Sequence, residues 1–193
     1  RVVVPLPDVK GRRELLDHYA KPIPIDKEEV DMDTIARATP GFSGADISNL
    51  MNVAAPKASH DEKKKVGMGD LEYASDKIRM GAERKSAQIS LENLKLTAYH
   101  EGGHALVALK TEAAMPIHKA TIIPRGRALG MVMRLPERDQ VSKSYEQLIS
   151  DLAVAMGGRV AEEIIFGKDK VTTGASSDIN MVTQYARKMV TEW

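Results

Sequence analysis

Five residues, His100-Glu101-Gly102-Gly103-His104, constrain this chain more than any other feature, because they lie inside a stretch with helical spacing. Ser90 can cap a long helix over 90–112, and on such a helix residues four apart project from one face about one turn apart. Both imidazoles can then bind a single metal ion, while Glu101, rotated by about 100°, reaches a water in the metal's open position. Zn²⁺ lowers the pKa of bound water toward about 7, and a carboxylate in that place takes the proton as the water attacks a carbonyl that the metal also polarises. That is the chemistry of peptide-bond hydrolysis. The plain alternative is a solvated helix face. Against it, Gly102 and Gly103 each cost about 1 kcal/mol relative to Ala in a helix interior, which suggests that another element approaches the backbone closely. Residues 105–109, Ala-Leu-Val-Ala-Leu, continue the helix as a largely buried one.

Two His do not complete a catalytic zinc site, which usually has three protein ligands and one water. The chain has no Cys, so disulfides, a thiol nucleophile, iron–sulfur ligation and Cys-built zinc sites are excluded. Ligands must come from five His and the carboxylates. One known extension places a third His six residues after the second, but that position is Lys110. The remaining candidates are His118, Glu162, Glu163 and Asp178. His118 lies near a strand start, where a histidine is more often at the surface or satisfied by neighbours. Glu162 and Glu163 follow Gly157-Gly158 on a helix, where paired carboxylates are usually its wet face. Asp178 sits at a helix start, where a first-turn or capping acid is common. Spacing leaves Asp178 and the two glutamates open.

The rest of the chain frames this site. Its 193 residues carry 28 Lys plus Arg against 27 Asp plus Glu, and a net charge of +1 spread evenly argues against a nucleic-acid partner or an anionic lipid surface. With 42% hydrophobic residues there is material for a core, and no apolar run approaches the ~18 residues of a membrane span. Arg at position 1 and Trp193 inside a helical pattern read as cuts in a longer protein. Residues 1–80 predict four short helices, over 8–19, 31–38, 44–58 and 70–80, with Pro56 expected to kink or end the third early. Met80-Gly81-Ala82-Glu83-Arg84 marks the boundary to a second domain, 81–193. There the helix over 90–112 is followed by strands over 119–123 and 131–134, a candidate hairpin or edge strand. Helices over 144–166 and from Ser177 or Asp178 to the end complete it. The fold class expected is mainly α with a small β element.

Four strings then carry a resemblance: Thr97-Ala98-Tyr99-His100-Glu101-Gly102-Gly103-His104-Ala105, His118-Lys119-Ala120-Thr121-Ile122-Ile123-Pro124-Arg125-Gly126, Met156-Gly157-Gly158-Arg159-Val160-Ala161-Glu162-Glu163, and Thr172-Thr173-Gly174-Ala175-Ser176-Ser177-Asp178. In this order they resemble the FtsH family of membrane-anchored, ATP-dependent zinc metalloproteases, which includes the mitochondrial i-AAA and m-AAA proteases. The resemblance implies that Asp178 is the third zinc ligand beside His100 and His104, with Glu101 as general base; Glu162 and Glu163 then revert to a structural reading. Thr39-Pro40-Gly41-Phe42-Ser43-Gly44-Ala45-Asp46 resembles the same family's helical lid after the ATPase core, which implies that Gly44 and Ala45 lie against bound nucleotide. Arg1 aligns with the end of the arginine-finger segment, and no role there is expected of it. The chain departs from the family at Val53 and Pro56, and at Gly102, where Ala is frequent. It also contains no Gly-x-x-x-x-Gly-Lys-Ser/Thr phosphate loop, so ATP with Mg²⁺ would be a cofactor of the full-length protein only.

The expectation is therefore a lid subdomain (1–80) joined to the first part of a zinc metallopeptidase domain (81–193). By resemblance its partners are unfolded or membrane protein substrates and the other subunits of a homo- or hetero-hexamer. The same resemblance implies a bacterial cytoplasmic or mitochondrial inner membrane anchor, supplied by N-terminal residues that precede this chain. The strand around Ala120 to Ile123 could receive an extended peptide along its edge. The rival reading is a non-catalytic lid and assembly module of a hexameric ring, inactive as this piece.

Overall fold

The computed structural model describes residues 1–84, 86–126, 128–136 and 142–193. The fold is mainly α with one small antiparallel sheet, and it divides into two compact units, Arg1–Glu83 and the part that begins at Arg84. Among the described residues no helix is long and apolar enough to cross a membrane.

In the first unit the first three helices each start where a polar side chain accepts from an otherwise unpaired N–H group. Helix α1 (Val9–Ala20) is capped by Asp8, which accepts from Gly11 N at 2.7 Å, and α2 (Met32–Arg37) by Asp31, which accepts from Asp33 N and Thr34 N. Helix α3 (Gly44–His60) opens on a reciprocal box: Asp46 N donates to Ser43 Oγ at 3.2 Å, and Ser43 N donates to Asp46 Oδ2 at 2.9 Å. Helix α4 (Met68–Met80) follows. Leu16, Ile35, Ile47, Leu50, Met51, Ala54 and Leu71 meet in one fully buried core. Of the two outcomes expected at Pro56, a kink or an early end, the early end does not occur; the helix runs on to His60, two residues past the expected 58. Pro56 and Asn52, the residue whose carbonyl loses its partner, both lie on the exposed side, so that carbonyl is not forced into the core. Buried Ala54 and Ala58 hold the last turn against the core.

The second unit is built on α5 (Leu91–Lys110) and α6 (Tyr145–Phe166), which form its main helix pair. Their approach explains one of the two motif glycines. A Cβ on Gly103 would stand 2.3 Å from Gly157 O, and one on Gly157 would stand 2.7 Å from Gly103 O, so the backbones touch where side chains cannot fit. A Cβ on Gly102 would meet nothing within 4 Å. Strands β1 (Ile117–Thr121) and β2 (Met131–Arg134) pair antiparallel, with Thr121 opposite Met131 and Ile117 opposite Arg134. The first strand thus begins and ends two residues before the expected 119–123, and Ile122 and Ile123 lie beyond it with partly exposed side chains. Buried Asp151 of α6 ties the sheet down, accepting from Arg134 Nη1 at 2.9 Å and Lys143 Nζ at 2.6 Å. Helix α7 (Ser176–Thr191) is preceded by a 3-10 turn, Thr173–Ala175, and carries Asp178 as its third residue, so Asp178 is not the N-cap.

Candidate metal centre

Helix α5 has an N-cap hydrogen bond from Asn93 N to Ser90 Oγ and holds His100 and His104 one turn apart on the side that faces α6. Both rings are fixed through Nδ1. His100 Nδ1–H donates to Glu162 Oε1 at 2.7 Å, and His104 Nδ1–H donates to the Val154 carbonyl at 2.7 Å. With the proton on Nδ1, each Nε2 keeps a lone pair, and the two Nε2 atoms lie 3.0 Å apart. The first turn of α7 adds Asp178 Oδ2, at 3.3 Å from His100 Nε2 and 3.6 Å from His104 Nε2.

Three acceptor atoms converging on one point repel one another unless a cation lies between them. A tetrahedral site with metal–ligand bonds of about 2.0–2.1 Å separates its ligand atoms by about 3.3 Å, and the edges of 3.0, 3.3 and 3.6 Å bracket that value. Two imidazole nitrogens and a carboxylate oxygen are also a donor set that suits zinc. Among the described residues this is the one group of three or more His, Asp and Glu whose ligand atoms gather this closely. Gly158 leaves the space beside it open: a Cβ there would stand 2.6 Å from His100 Nε2 and from His104 Nε2.

Electrostatics follow from the same contacts. Burial opposes a charge on His100, but the hydrogen bonds that its doubly protonated ring makes to Asp178 and Glu162 outweigh it and raise its pKa. His104 behaves alike through Asp178 and the Val154 carbonyl. Burial would raise the Asp178 pKa, yet hydrogen bonds from the protonated rings of His100 and His104 hold it well below the usual carboxylate range. Glu101 moves the other way. Burial raises it, and the neighbouring His104 and His100 only partly offset that.

The centre opens into a cleft of about 600 Å³ whose wall includes Glu101, Leu129, Gly130, Val132, Thr173 and Met181. The sheet therefore borders the cleft through β2 and the residues before it; residues 120–123, on which the sequence reading put an edge for substrate, are not part of that wall.

Of the other candidates, Glu163 is paired with Arg159 at 2.7 Å and His118 lies in β1; neither joins the group of three. Glu162 does not join it either, but it is fully buried directly behind it. Its Oε1 accepts from His100, and its Oε2 accepts from Thr172 N at 3.0 Å and Thr172 Oγ1 at 3.2 Å. The family resemblance implies only a structural role for Glu162. The available signal was its position four residues after Gly158, which sets both on one face of α6. Gly44 and Ala45 belong to the first unit, where they form the first turn of α3 behind the Ser43 cap; Gly44 is half-buried and Ala45 exposed.

Comparison with known proteins places the chain in a family. Residues 87–193 match Peptidase family M41, and residues 29–73 match the AAA+ lid domain. The chain is 58% identical over 193 residues to the ATP-dependent zinc metalloprotease FtsH of Caulobacter vibrioides, covering all of this chain and 31% of that protein. It is 56% identical over 189 residues to the ATP-dependent zinc metalloprotease FTSH 11, chloroplastic/mitochondrial, of Arabidopsis thaliana, covering 98% of this chain and 23% of that one. It is 54% identical over 193 residues to the ATP-dependent zinc metalloprotease YME1L1 of Mus musculus, covering all of this chain and 27% of that one. The chain thus spans about a quarter to a third of these relatives. Because the peptidase match covers more than half of its length and includes every residue of the centre, the chain belongs to peptidase family M41, as its resemblance to FtsH implies.

Proposed function

We propose that this chain supplies the zinc-binding part of an ATP-dependent metalloprotease, with His100, His104 and Asp178 as ligands and Glu101 as general base. The observation that carries the proposal is the convergence of three lone-pair atoms from α5 and α7 at separations of 3.0–3.6 Å. When bound there, Zn²⁺ supplies Lewis-acid chemistry, acidifying water and polarising the scissile carbonyl. The protein's own groups do the rest. Glu162 and the Val154 carbonyl hold the Nδ1 protons of the two histidines and so aim both Nε2 lone pairs inward. The Glu101 carboxylate takes the proton of the attacking water and passes it to the departing amine. Its raised pKa makes it a stronger base than a solvated glutamate, at the cost of a smaller ionised fraction in acid. The cleft wall at residues 128–132 suits an extended substrate, which can add main-chain hydrogen bonds independent of sequence.

The match of residues 29–73 to the AAA+ lid supports placing 1–80 as the lid and 81–193 as the peptidase domain. On this reading Gly44 and Ala45 approach nucleotide, and the ATP and Mg²⁺ sites complete themselves on other parts of the whole protein. The names of the relatives support ATP-driven proteolysis by that protein. A membrane anchor outside this chain, a hexameric ring and unfolded or membrane proteins as substrates complete the proposal.

Glu101→Gln tests the mechanism. In the full-length protein it should retain about one zinc per chain and lose cleavage of an unfolded substrate by at least about 100-fold. Retained cleavage refutes the role of Glu101, and a folded wild-type chain without zinc refutes the centre.

A further inference from the structure

Gly130 lies in the segment that enters β2, opposite the helix that bears Glu101. It is not one of the residues with positive φ, so its backbone demands no glycine. The demand is spatial. A Cβ at this position would stand 2.7 Å from Glu101 Cγ, 2.9 Å from Glu101 Oε1 and 2.9 Å from the Thr121 carbonyl oxygen. Ordinary contacts between such atoms are about 3.5–4.0 Å, so even one methyl group would displace the carboxylate by the better part of an ångström. Gly130 also lines the cleft, with its backbone on one side and the Glu101 carboxylate against it. The wall along which substrate is proposed to lie is therefore also in close approach to the Glu101 side chain.

We infer that Gly130 is a positioning residue for Glu101: by lacking a side chain it seats the carboxylate at the cleft wall, within reach of the water that attacks the substrate. The inference rests on the proposed role of Glu101 as general base. A misplacement of about 1 Å can cost a reaction on the order of 100-fold in rate. Gly130→Ala, in the zinc-loaded full-length protein, should lower kcat for a short peptide about 100-fold, with KM changed less than about threefold and zinc content unchanged. A purely structural role at the sheet, acting through Thr121, would instead raise KM or lower stability while leaving kcat within a few-fold.

The decisive readout is coupling. Glu101→Ala removes both side-chain atoms, Cγ and Oε1, that the added methyl group would meet, and leaves a residual kcat to compare. In that background Gly130→Ala should cost less than about threefold in kcat. Equal losses in both backgrounds overturn the inference. If Gly130→Ala does not fold or loses zinc, Glu101→Ala with Gly130→Ala decides: removal of the opposing side chain should restore folding and zinc. A double variant as disrupted as the single overturns the inference. Failure of the underlying reading shows separately, as cleavage retained by Glu101→Gln.

Discussion

Glu162 is expected to control zinc affinity although it supplies no ligand. Its side chain is fully buried, and its two oxygens accept three hydrogen bonds: one from His100 Nδ1 and two from Thr172. The first fixes the tautomer and angle of one ligand. The other two anchor the start of the Thr173–Ala175 turn, which delivers Asp178 on the first turn of α7. Two of the three proposed ligands thus depend on one carboxylate. Glu162→Ala leaves the part-buried His100 Nδ1–H without its acceptor, at about 1–3 kcal/mol, and releases the Thr172 N–H, whose residue is exposed and can turn to water. Loss of a single carboxylate–histidine contact behind a metal ligand typically weakens binding by about 10–100-fold. Because Asp178 loosens as well, the loss should lie at or above the upper end, on the order of 100-fold. Glu162→Gln keeps an oxygen for His100 but faces Thr172 with an amide, so it should lose less, about tenfold. The assay is competition for zinc against a chromophoric chelator at fixed pH, with circular dichroism to confirm folding. Affinity within about twofold of wild type in folded Glu162→Ala would refute the argument.

The glycines give predictions of opposite sign. Gly158→Ala pushes a methyl group toward both Nε2 atoms and should weaken zinc by at least about tenfold in the same competition assay, as expected for about 1–3 kcal/mol of overpacking. Gly103→Ala meets the backbone carbonyl of Gly157 and should destabilise the protein by about 3 kcal/mol or more, whereas Gly102→Ala faces open space and should stabilise it by about 0.5–1 kcal/mol; urea midpoints distinguish the two. In the first unit, hydrogen bonds from the Thr34 and Ser43 side chains, with nearby backbone N–H groups, lower the pKa of the capping carboxylates Asp31 and Asp46. A depressed folded-state pKa gives stability that is present above the unfolded value of about 3.9 and lost as pH falls through the folded one, so melting temperature should drop below about pH 4, with a shallower slope in Asp46→Asn.

The helices of both units were legible because their caps are local. Asp8, Asp31, Ser43, Ser90 and Ser144 each satisfy N–H groups two or three residues onward, so three or four letters of sequence decide where a helix begins. The histidine pair was legible for the same reason: four residues on a helix is a distance in space as well as in sequence. What the chain could not reveal by spacing is set by contacts across long separations. Asp178 reaches His104 only because α7 returns to α5, and resemblance to a family, not periodicity, pointed to it. Glu162 looked like one of two solvated acids, and nothing local distinguishes it from Glu163; α5 decides, by burying one against His100 and leaving the other to Arg159. Pro56 failed as a helix stop because propensity is local while the force that keeps the last turn of α3 in place is burial of Ala54 and Ala58. Glycine marks both kinds of case. Gly102 and Gly103 stand side by side in the sequence, yet only Gly103 touches another helix. The positions around this centre that spacing leaves hidden are therefore those at which one residue's side chain, or its absence, is dictated by a partner about 30 to 60 positions away: Gly130 by Glu101, Gly103 by Gly157, Gly158 by His100 and Glu162 by His100.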